Sequence, residues 1–253
     1  MIQYNYHTHT RRCHHAEGTE REYIEKAIRA GIRELGFSDH CPVPFENGYV
    51  SPVRMTMDEA PEYFSTIRSL AEEYRDRLEI RCGFEMEYTP DLFERQIRFY
   101  ESLGCDYLIL GQHYAGREDI GPYVGRKTDD PWILTRYVDL VLEGASTGKF
   151  LYVAHPDVCW FEGDNEIYRR ECERLCGGLL QMDIPIEING LGMATSRNYP
   201  NESFWRIAGE VGNTVVIGMD AHTPDQLADE AVWGKCRDLA EKCNVRLTDK
   251  KLL

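Results

Sequence analysis

The sequence has little positive charge and no apolar run long enough to span a membrane. Lys and Arg number 29 against 43 Asp and Glu, which gives a formal net charge of −14. This balance argues against a nucleic-acid surface built on bulk positive charge. No apolar run approaches the roughly 20 residues that a bilayer-spanning helix needs, and residues 1–10 lack the pattern of a signal peptide. We therefore expect a cytoplasmic protein without a membrane or nucleic-acid partner.

Paired cysteines and nucleotide-binding glycine loops are also absent. The nine cysteines are irregularly spaced, and Cys172 and Cys176 are separated by three residues, so no CxxC pair exists. We interpret the cysteines as reduced thiols of a cytosolic protein, many of them simply buried. Neither GxGxxG after the first predicted strand nor GxxxxGK[ST] anywhere is present, so a dinucleotide fold or a P-loop is poorly supported.

Short β-rich runs alternate with longer amphipathic runs along the chain. The predicted strands are Ile2–His7, Glu34–Ser38, Glu79–Glu87, Asp106–Gln112, Leu151–Ala154, Pro185–Asn189 and Thr214–Met219. The predicted helices are Thr19–Ala30, Asp58–Arg75, Asp91–Ser102, Asp129–Gly144, Glu166–Met182, Glu202–Glu210 and Pro224–Lys242. Repeated βα units imply a parallel sheet, either a barrel or a doubly wound sheet. The length of 253 residues and 42% hydrophobic content favour a single domain over residues 1–253.

All eight histidines lie at or just beyond the carboxyl end of a predicted strand. They are His7, His9, His14, His15, His40, His113, His155 and His222. In parallel α/β folds the carboxyl ends of the strands carry the active site. If the histidines were scattered at random, some would also lie in the predicted helices, but none of the eight does. We therefore expect the histidines to act together at one pole of the fold.

Carboxylates accompany these histidines at the strand ends. Glu85 closes the third predicted strand and Asp220 follows the last one. Histidines with carboxylates and no organised thiolates suit Zn, Mn or Fe. Alternate residues of a strand point the same way, so His7 and His9 can reach one ion, and Asp220 and His222 repeat this spacing. Because these ligands exceed what one tetrahedral ion needs, we expect two to three divalent metal ions with a bridging carboxylate.

Seven short segments, in order along the chain, resemble the PHP (polymerase and histidinol phosphatase) family of metal-dependent phosphoesterases. They are His7–Thr10, Cys13–Gly18, Ser38–His40, Gly83–Glu85, Gly111–Tyr114, Ala154–Pro156 and Gly218–His222. The cysteine–histidine–glycine segment after the first strand and the overall size are similar to the histidinol-phosphate phosphatase branch. This resemblance implies an α/β fold, a distorted (β/α)7 barrel with its metal site at the carboxyl ends of the strands.

The resemblance also implies how the ligands divide among three ions. The first ion would take His7, His9, Glu85 and Asp220. The second would take His113, His155 and the bridging Glu85. The third would take His15, His40 and His222. The family spacing from the HxH pair selects His15 over its neighbour His14.

The activity implied by the resemblance is hydrolysis of a phosphate monoester, and the branch indicates L-histidinol phosphate. Divalent ions would neutralise the dianionic ester and lower the pKa of a bound water. We expect the resulting metal-bridging hydroxide to attack phosphorus, with Asp220, Glu85 and His222 as the catalytic ligands. A small-molecule phosphate ester is then the expected partner, and the oligomeric state stays open.

Arginines are the expected ligands of the phosphoryl oxygens, because a planar guanidinium binds them in a bidentate way. Arg197 is the first expectation and Arg117 the second, with Arg12 and Arg126 behind them. Many relatives in the family carry an arginine soon after the sixth strand, and Arg197 comes later than that.

Three polar residues beside the predicted ligands allow two interpretations. Asp157 and Asn189 either meet the amino or imidazole end of the substrate or brace metal ligands. Glu87 shares a strand face with Glu85, and we expect it to orient a ligand histidine.

Three other functions remain open. A phosphoesterase of the same family could act on a nucleotide, a sugar phosphate or a phosphotyrosine. A metal-dependent amidohydrolase also uses HxH and a late aspartate, but the separate trio of His15, His40 and His222 argues against it. A non-catalytic metal-binding module is disfavoured by the full ligand set.

Overall fold

The computed structural model describes residues 2–248 and 250–253. Its strands are β1 (Tyr4–Asn5), β2 (Glu34–His40), β3 (Glu79–Met86), β4 (Tyr107–Leu110), β5 (Ile186–Asn189), β6 (Thr214–Gly218) and β7 (Arg246–Leu247). Its helices are α1 (Glu20–Ala30), α2 (Ala60–Tyr74), α3 (Phe93–Ser102), α4 (Pro131–Ser146), α5 (Asn165–Gln181), α6 (Gly190–Thr195), α7 (Glu202–Val211), α8 (Pro224–Leu227) and α9 (Glu230–Lys242). Within the described ranges, no helix combines the length and the apolarity needed to cross a membrane.

The strands pair in parallel and curl into a distorted barrel. β1 to β4 form one sheet in chain order, and β5, β6 and β7 form a second. Val153 bridges to Leu110 of β4 and to Ile186 of β5, which joins the two sheets. Thr8, beyond the edge strand β1, bridges to Ala221, beyond the middle strand β6, and connects the two sheets a second time. The expected α/β fold with a distorted, parallel barrel is therefore confirmed.

The core has two layers because the central strands are buried on both faces. In β4, Leu108 and Leu110 belong to the large cluster between sheet and helices. Tyr107 and Ile109 point to the other side and pack with Tyr152 inside the barrel. Alternate residues of a strand face opposite sides, so a strand covered on both faces has an uninterrupted apolar sequence.

Local sequence signals fix several helix ends. Thr19 and Glu22 form the predicted capping box at the start of α1. Gly31 ends α1 in a left-handed conformation, with φ 76°, which costs a glycine little. Asp130 caps α4 by accepting a hydrogen bond from Trp132 N, and Pro131 occupies the first helical position.

The structure differs from the prediction at several elements. The predicted strand Leu151–Ala154 is reduced to bridges at Val153, although Leu151 N and Ala154 N still donate to Leu108 O and Leu110 O of β4. The short strand β7 was not predicted; it pairs with the start of β6. The predicted helix Pro224–Lys242 is two helices, because Asp229 accepts hydrogen bonds from two backbone N–H groups and so begins α9 as a new helix.

The cysteines form no disulfide. All nine are free, and all except Cys105 are buried. Burial raises the pKa of several of these thiols, for example that of Cys159 to about 12. Such thiols are poor nucleophiles, in agreement with a mainly structural role for most of them.

Replacement of Asp229 by Ala tests whether this cap divides the predicted helix. We expect Asp229→Ala to lower the free energy of unfolding by about 1 kcal/mol, since the two N–H groups lose their acceptor. Urea unfolding followed by circular dichroism measures the change. Asp238→Ala, on the exposed face of α9, is the matched control and should cause no loss. Equal stability of the Asp229 variant and the wild type would contradict the capping role.

Candidate metal centre

The carboxyl ends of the strands bring the predicted histidines and carboxylates together. His40 ends β2, and Glu85 lies beside it in register on β3. His7 and His9 flank Thr8, which bridges to the segment after β6 that carries Asp220. His7, His9 and Glu85 are almost fully buried. The parallel register therefore places residues far apart in sequence at one pole.

Glu85 lies at the centre of this pole, with one oxygen facing each of two sets of imidazoles. Its Oε1 is 2.8 Å from His155 Nε2 and 3.6 Å from His113 Nε2. Its Oε2 is 2.8 Å from His40 Nδ1 and 3.5 Å from His9 Nε2. This is the arrangement of a carboxylate that can bridge two cations.

Asp220 is the second central carboxylate. Its Oδ1 lies 3.0 Å from His9 Nε2 and 3.4 Å from His7 Nε2. Burial raises the pKa of Asp220, but His7 and His9 outweigh it and hold that pKa well below its usual range. Glu85 behaves likewise: His40, His113 and His7 outweigh burial and hold its pKa low. Both carboxylates are therefore ionised.

Several buried atoms in this cluster form no hydrogen bond of normal geometry, although some of them lie close to one another. They are His7 Nε2, both ring nitrogens of His9, Glu85 Oε2, His155 Nδ1 and Asp220 Oδ1. Buried polar atoms are normally paired, and imidazole nitrogens with carboxylate oxygens are the donors that zinc and related cations take. The residues present therefore fit divalent metal ions.

The donor atoms fall into adjacent groups of three. Within each group, all the donor atoms lie within 4.8 Å of one another. Three of these groups are His7–His9–Asp220, His7–Glu85–His155 and His9–His40–His222. Adjacent groups that share residues are the geometry expected for more than one ion.

His15 and His222 point their rings at one another. The Nδ1 of His15 lies 2.6 Å from the carbonyl of Cys13, and the Nδ1 of His222 lies 2.9 Å from the carbonyl of Asp220. A carbonyl only accepts, so each Nδ1 donates and each neutral ring has a lone pair at Nε2. The two Nε2 atoms are 3.0 Å apart. Two lone pairs at this distance repel one another, and a cation between them removes the repulsion.

Two ligands sit on left-handed backbone. His155 has φ 31° and Asp220 has φ 50°, conformations that cost non-glycine residues about 1–3 kcal/mol each. His155 follows Ala154, and Asp220 comes two residues after the end of β6. The left-handed turn at each residue directs its side chain across this end of the barrel. Strain of this kind is typical of functional sites.

Glu187 belongs to this cluster, and the sequence interpretation missed it. It is fully buried in β5, and its Oε1 lies 2.8 Å from His7 Nδ1. Its Oε2 accepts hydrogen bonds from His155 N and Asn189 Nδ2. A carboxylate on the outer nitrogen of a ligand histidine fixes the ring and its tautomer. The available signal was an acidic residue in an otherwise apolar strand, two positions before Asn189.

Asn189 and Asp157 brace the site from within the protein. Asn189 Nδ2 donates to Asp220 Oδ2 at 3.1 Å, and Asn189 Oδ1 caps α6. Asp157 Oδ2 accepts from Asn201 N at 2.6 Å and from Trp205 Nε1 at 2.9 Å. Both side chains are buried and neither lines the cleft, so the structure does not bring these two to a substrate.

Glu87 and Arg54 form a buried support for His113. Glu87 Oε1 lies 3.2 Å from His113 Nδ1, the position expected of a residue that orients a ligand. Arg54 donates to Glu87 Oε1 at 2.8 Å and also pairs with Glu118. The loop that carries Arg54 is therefore tied to the metal-ligand set, and the sequence interpretation did not find this link.

Two glycines leave room for the central carboxylates. A Cβ atom on Gly111 would lie 2.0 Å from Glu85 Oε1. A Cβ atom on Gly218 would lie 1.6 Å from Glu187 Oε1. Any side chain at either position would displace a carboxylate from its imidazole partners.

A cleft of about 510 Å³ opens over the ligands. Arg197 and Arg126 line it together with Tyr114, Tyr123 and Tyr199. The Arg197 guanidinium donates to Tyr199 Oη at 2.9 Å. Among the residues that the structure describes, neither arginine forms a salt bridge with an acid, so both cations remain available to an anion in the cleft.

The other two predicted arginines lie elsewhere. Arg117 binds Asp119 through two nitrogens and Asp91 through a third. Arg12 pairs with Glu20 and Glu62. Neither arginine lines the cleft. Acidic side chains outside the cleft hold both guanidinium groups.

Comparison with known proteins connects this site to one family. The PHP domain model matches residues 5–190. A probable histidinol-phosphatase from Deinococcus radiodurans is 30% identical over 232 residues, which cover 87% of this chain and 86% of the relative. A histidinol-phosphatase from Bacillus subtilis is 31% identical over 114 residues, 43% of this chain and 42% of that one.

A solved structure shares the fold. The histidinol phosphate phosphatase from Lactococcus lactis, crystallised with Zn, L-histidinol and phosphate, superposes with a TM-score of 0.74 and 20% identity. The match covers 97% of this chain and 95% of that one. At this identity the likeness establishes the barrel fold.

Replacement of Glu187 by Gln tests its part in holding His7. We expect zinc affinity to fall about 10- to 100-fold, because an amide binds and polarises the imidazole less strongly than a carboxylate. Competition with a chelator measures the affinity. Glu173→Gln, on the exposed surface of α5, is the control and should bind zinc like the wild type. Unchanged affinity in the Glu187 variant would show that His7 needs no such support.

Proposed function

This chain belongs to the PHP domain family, and on that premise we propose that it is a metal-dependent phosphomonoesterase that hydrolyses L-histidinol phosphate to L-histidinol and phosphate. The observation that carries the proposal is the convergence of unpaired, buried imidazole and carboxylate atoms beneath a cleft lined by Arg197 and Arg126. The substrate follows the names of the two curated relatives.

Three divalent ions, zinc or alternatively Mn or Fe, fit the donor groups. His7, His9, Glu85 and Asp220 would hold the first. His113, His155 and Glu85 would hold the second, and His15, His40 and His222 the third. Bound ions of this kind supply charge neutralisation for the ester and a nucleophile at neutral pH.

The chain itself positions the phosphoryl group. Arg197 has its guanidinium fixed against Tyr199, and it would hold phosphoryl oxygens whose charge grows toward the transition state. Arg126 lines the same cleft and is exposed, so it would meet the anion at the entrance. This assignment replaces Arg117, whose guanidinium is already bound by two aspartates.

Asp220 acts as a ligand in this proposal, and proton delivery to the leaving oxygen falls to another group. Its pKa lies well below the usual range because His7 and His9 outweigh burial. A carboxylate of this kind holds no proton near neutral pH. Glu85 is excluded from proton delivery on the same ground.

Residues 1–253 would act as a single catalytic domain. The donor set runs from His7 to His222 and draws on both sheets, so no part of the chain holds the site alone. The nine free cysteines fit a reducing compartment, and we place the enzyme in the cytoplasm.

Metal removal tests the proposed reaction. Treatment with a chelator should abolish phosphate release from L-histidinol phosphate, and added Zn or Mn should restore it, because the donor atoms converge on cations. A panel of monoesters and diesters, including a nucleotide, a sugar phosphate and a phosphotyrosyl peptide, measures selectivity. Turnover of another ester with L-histidinol phosphate untouched would refute the substrate assignment and retain the chemistry. Full activity after complete metal removal would refute the metal-dependent reaction.

Replacement of Arg197 by Gln tests the phosphoryl contact. We expect kcat/KM for L-histidinol phosphate to fall about 100-fold, since the glutamine amide is uncharged and stabilises the growing charge less well. Steady-state kinetics measure the effect at fixed zinc loading. Arg206→Gln, which removes an exposed arginine paired with Glu202 on α7, is the matched control. A loss of the same size on Arg117→Gln, with none on Arg197→Gln, would reverse the assignment.

A further inference from the structure

Cys13 lies beneath the His15–His222 pair with its side chain fully buried. Its Sγ and one ring nitrogen from each of these histidines all lie within 4.8 Å of one another. The same limit holds for Cys13, His9 and Asp39. The thiol therefore sits among metal-ligand atoms on two sides, unlike a cysteine packed into an apolar core.

The local backbone directs Cys13 and His15 to the same point. A short 3-10 turn, Arg11–Cys13, begins at Thr10, and His14 follows it with φ 65°. The left-handed residue reverses the chain, so His14 turns outward to Pro52 O. His15 returns toward the pole and fixes its Nδ1 on the Cys13 carbonyl at 2.6 Å. One turn thus presents a sulfur and a nitrogen two residues apart.

The three imidazoles expected around this ion bring no negative charge of their own. Glu85 and Asp220 supply negative charge to the two inner groups of donors. His15, His40 and His222 are neutral when they bind a metal. Three imidazoles leave one position of a tetrahedral site for a fourth ligand.

His9 gives independent support for a ligand at this place. Its side chain is fully buried, and neither ring nitrogen forms a hydrogen bond of normal geometry, although Nε2 lies 3.0 Å from Asp220 Oδ1. The ring stacks on His222 at 4.2 Å between centroids. An unpaired, buried imidazole facing the thiol indicates that the space between the two belongs to a cation-binding cluster.

We propose that Cys13 Sγ is a ligand of the ion held by His15 and His222, which makes this part of the centre a mixed sulfur and nitrogen site. When the ion binds, the thiol loses its proton to solvent and the sulfur forms a bond to the metal. No oxidant or reductant takes part. The inference rests on the metal centre proposed above and is independent of which ester the enzyme hydrolyses.

Cobalt substitution tests this ligand by its spectrum. A thiolate on Co²⁺ gives a charge-transfer absorption in the near ultraviolet that imidazole and carboxylate ligands do not give. We expect the full chain, loaded with Co²⁺, to show this band together with the visible bands of the ion. Cys13→Ser and Cys13→Ala should lose the near-ultraviolet band, and circular dichroism verifies that both remain folded.

Cys236→Ser is the matched control, since Cys236 is equally buried but lies in α9 outside the donor groups. It should keep the band at full intensity. A band that persists in Cys13→Ser, or a Co²⁺-loaded wild type without one, would overturn the proposal. The absence of the band from the Co²⁺-loaded wild type is measured without a variant, so a folding defect of a variant cannot explain that result.

The two proposals fail in different ways. Visible cobalt bands without the thiolate band would remove Cys13 from the ligands and leave the proposed function intact. Absence of every cobalt band would overturn the metal centre and this ligand together. A thiolate band in a protein that does not hydrolyse L-histidinol phosphate would support Cys13 and refute the substrate alone.

Discussion

The burial of two ionised carboxylates among imidazoles at the strand ends is the constraint on which the rest of the structure depends. Glu85 is almost fully buried, and imidazoles surround both of its oxygens. Burying an ionised carboxylate is costly unless it is paired and hydrogen-bonded. Several buried imidazole and carboxylate atoms at this pole form no hydrogen bond, and divalent cations would be the partners that balance them.

The surrounding protein holds these groups in place at a local cost. Gly111 and Gly218 lack side chains, and this leaves room for the carboxylates of Glu85 and Glu187 beside their imidazole partners. His155 and Asp220 accept left-handed backbone. Glu187 contacts His7 and orients its ring. Sites that require such support sacrifice some stability for geometry.

The net charge of −14 and an anionic substrate are compatible in this arrangement. Part of the acid excess lies at the pole, where imidazoles and the buried Arg54 face Glu85 and Glu87. Bound divalent ions would make the same pole attractive to phosphate. The sign of the net charge of a whole chain therefore says little about the electrostatic field inside one cleft.

The sequence by itself determined the strand-end clustering of the histidines, because strand order and periodicity fix which residues reach the carboxyl ends. It also determined α1 and its cap, whose signals are local. Only the tertiary structure decided that Glu187 orients His7, that Arg117 is held by aspartates, and that Cys13 faces His15. His7 and Glu187 lie 180 residues apart, so spacing along the chain carries no information about their contact. Arg117 with Asp119, and Cys13 with His15, are each two residues apart, but the conformation of the local turn decides whether they meet.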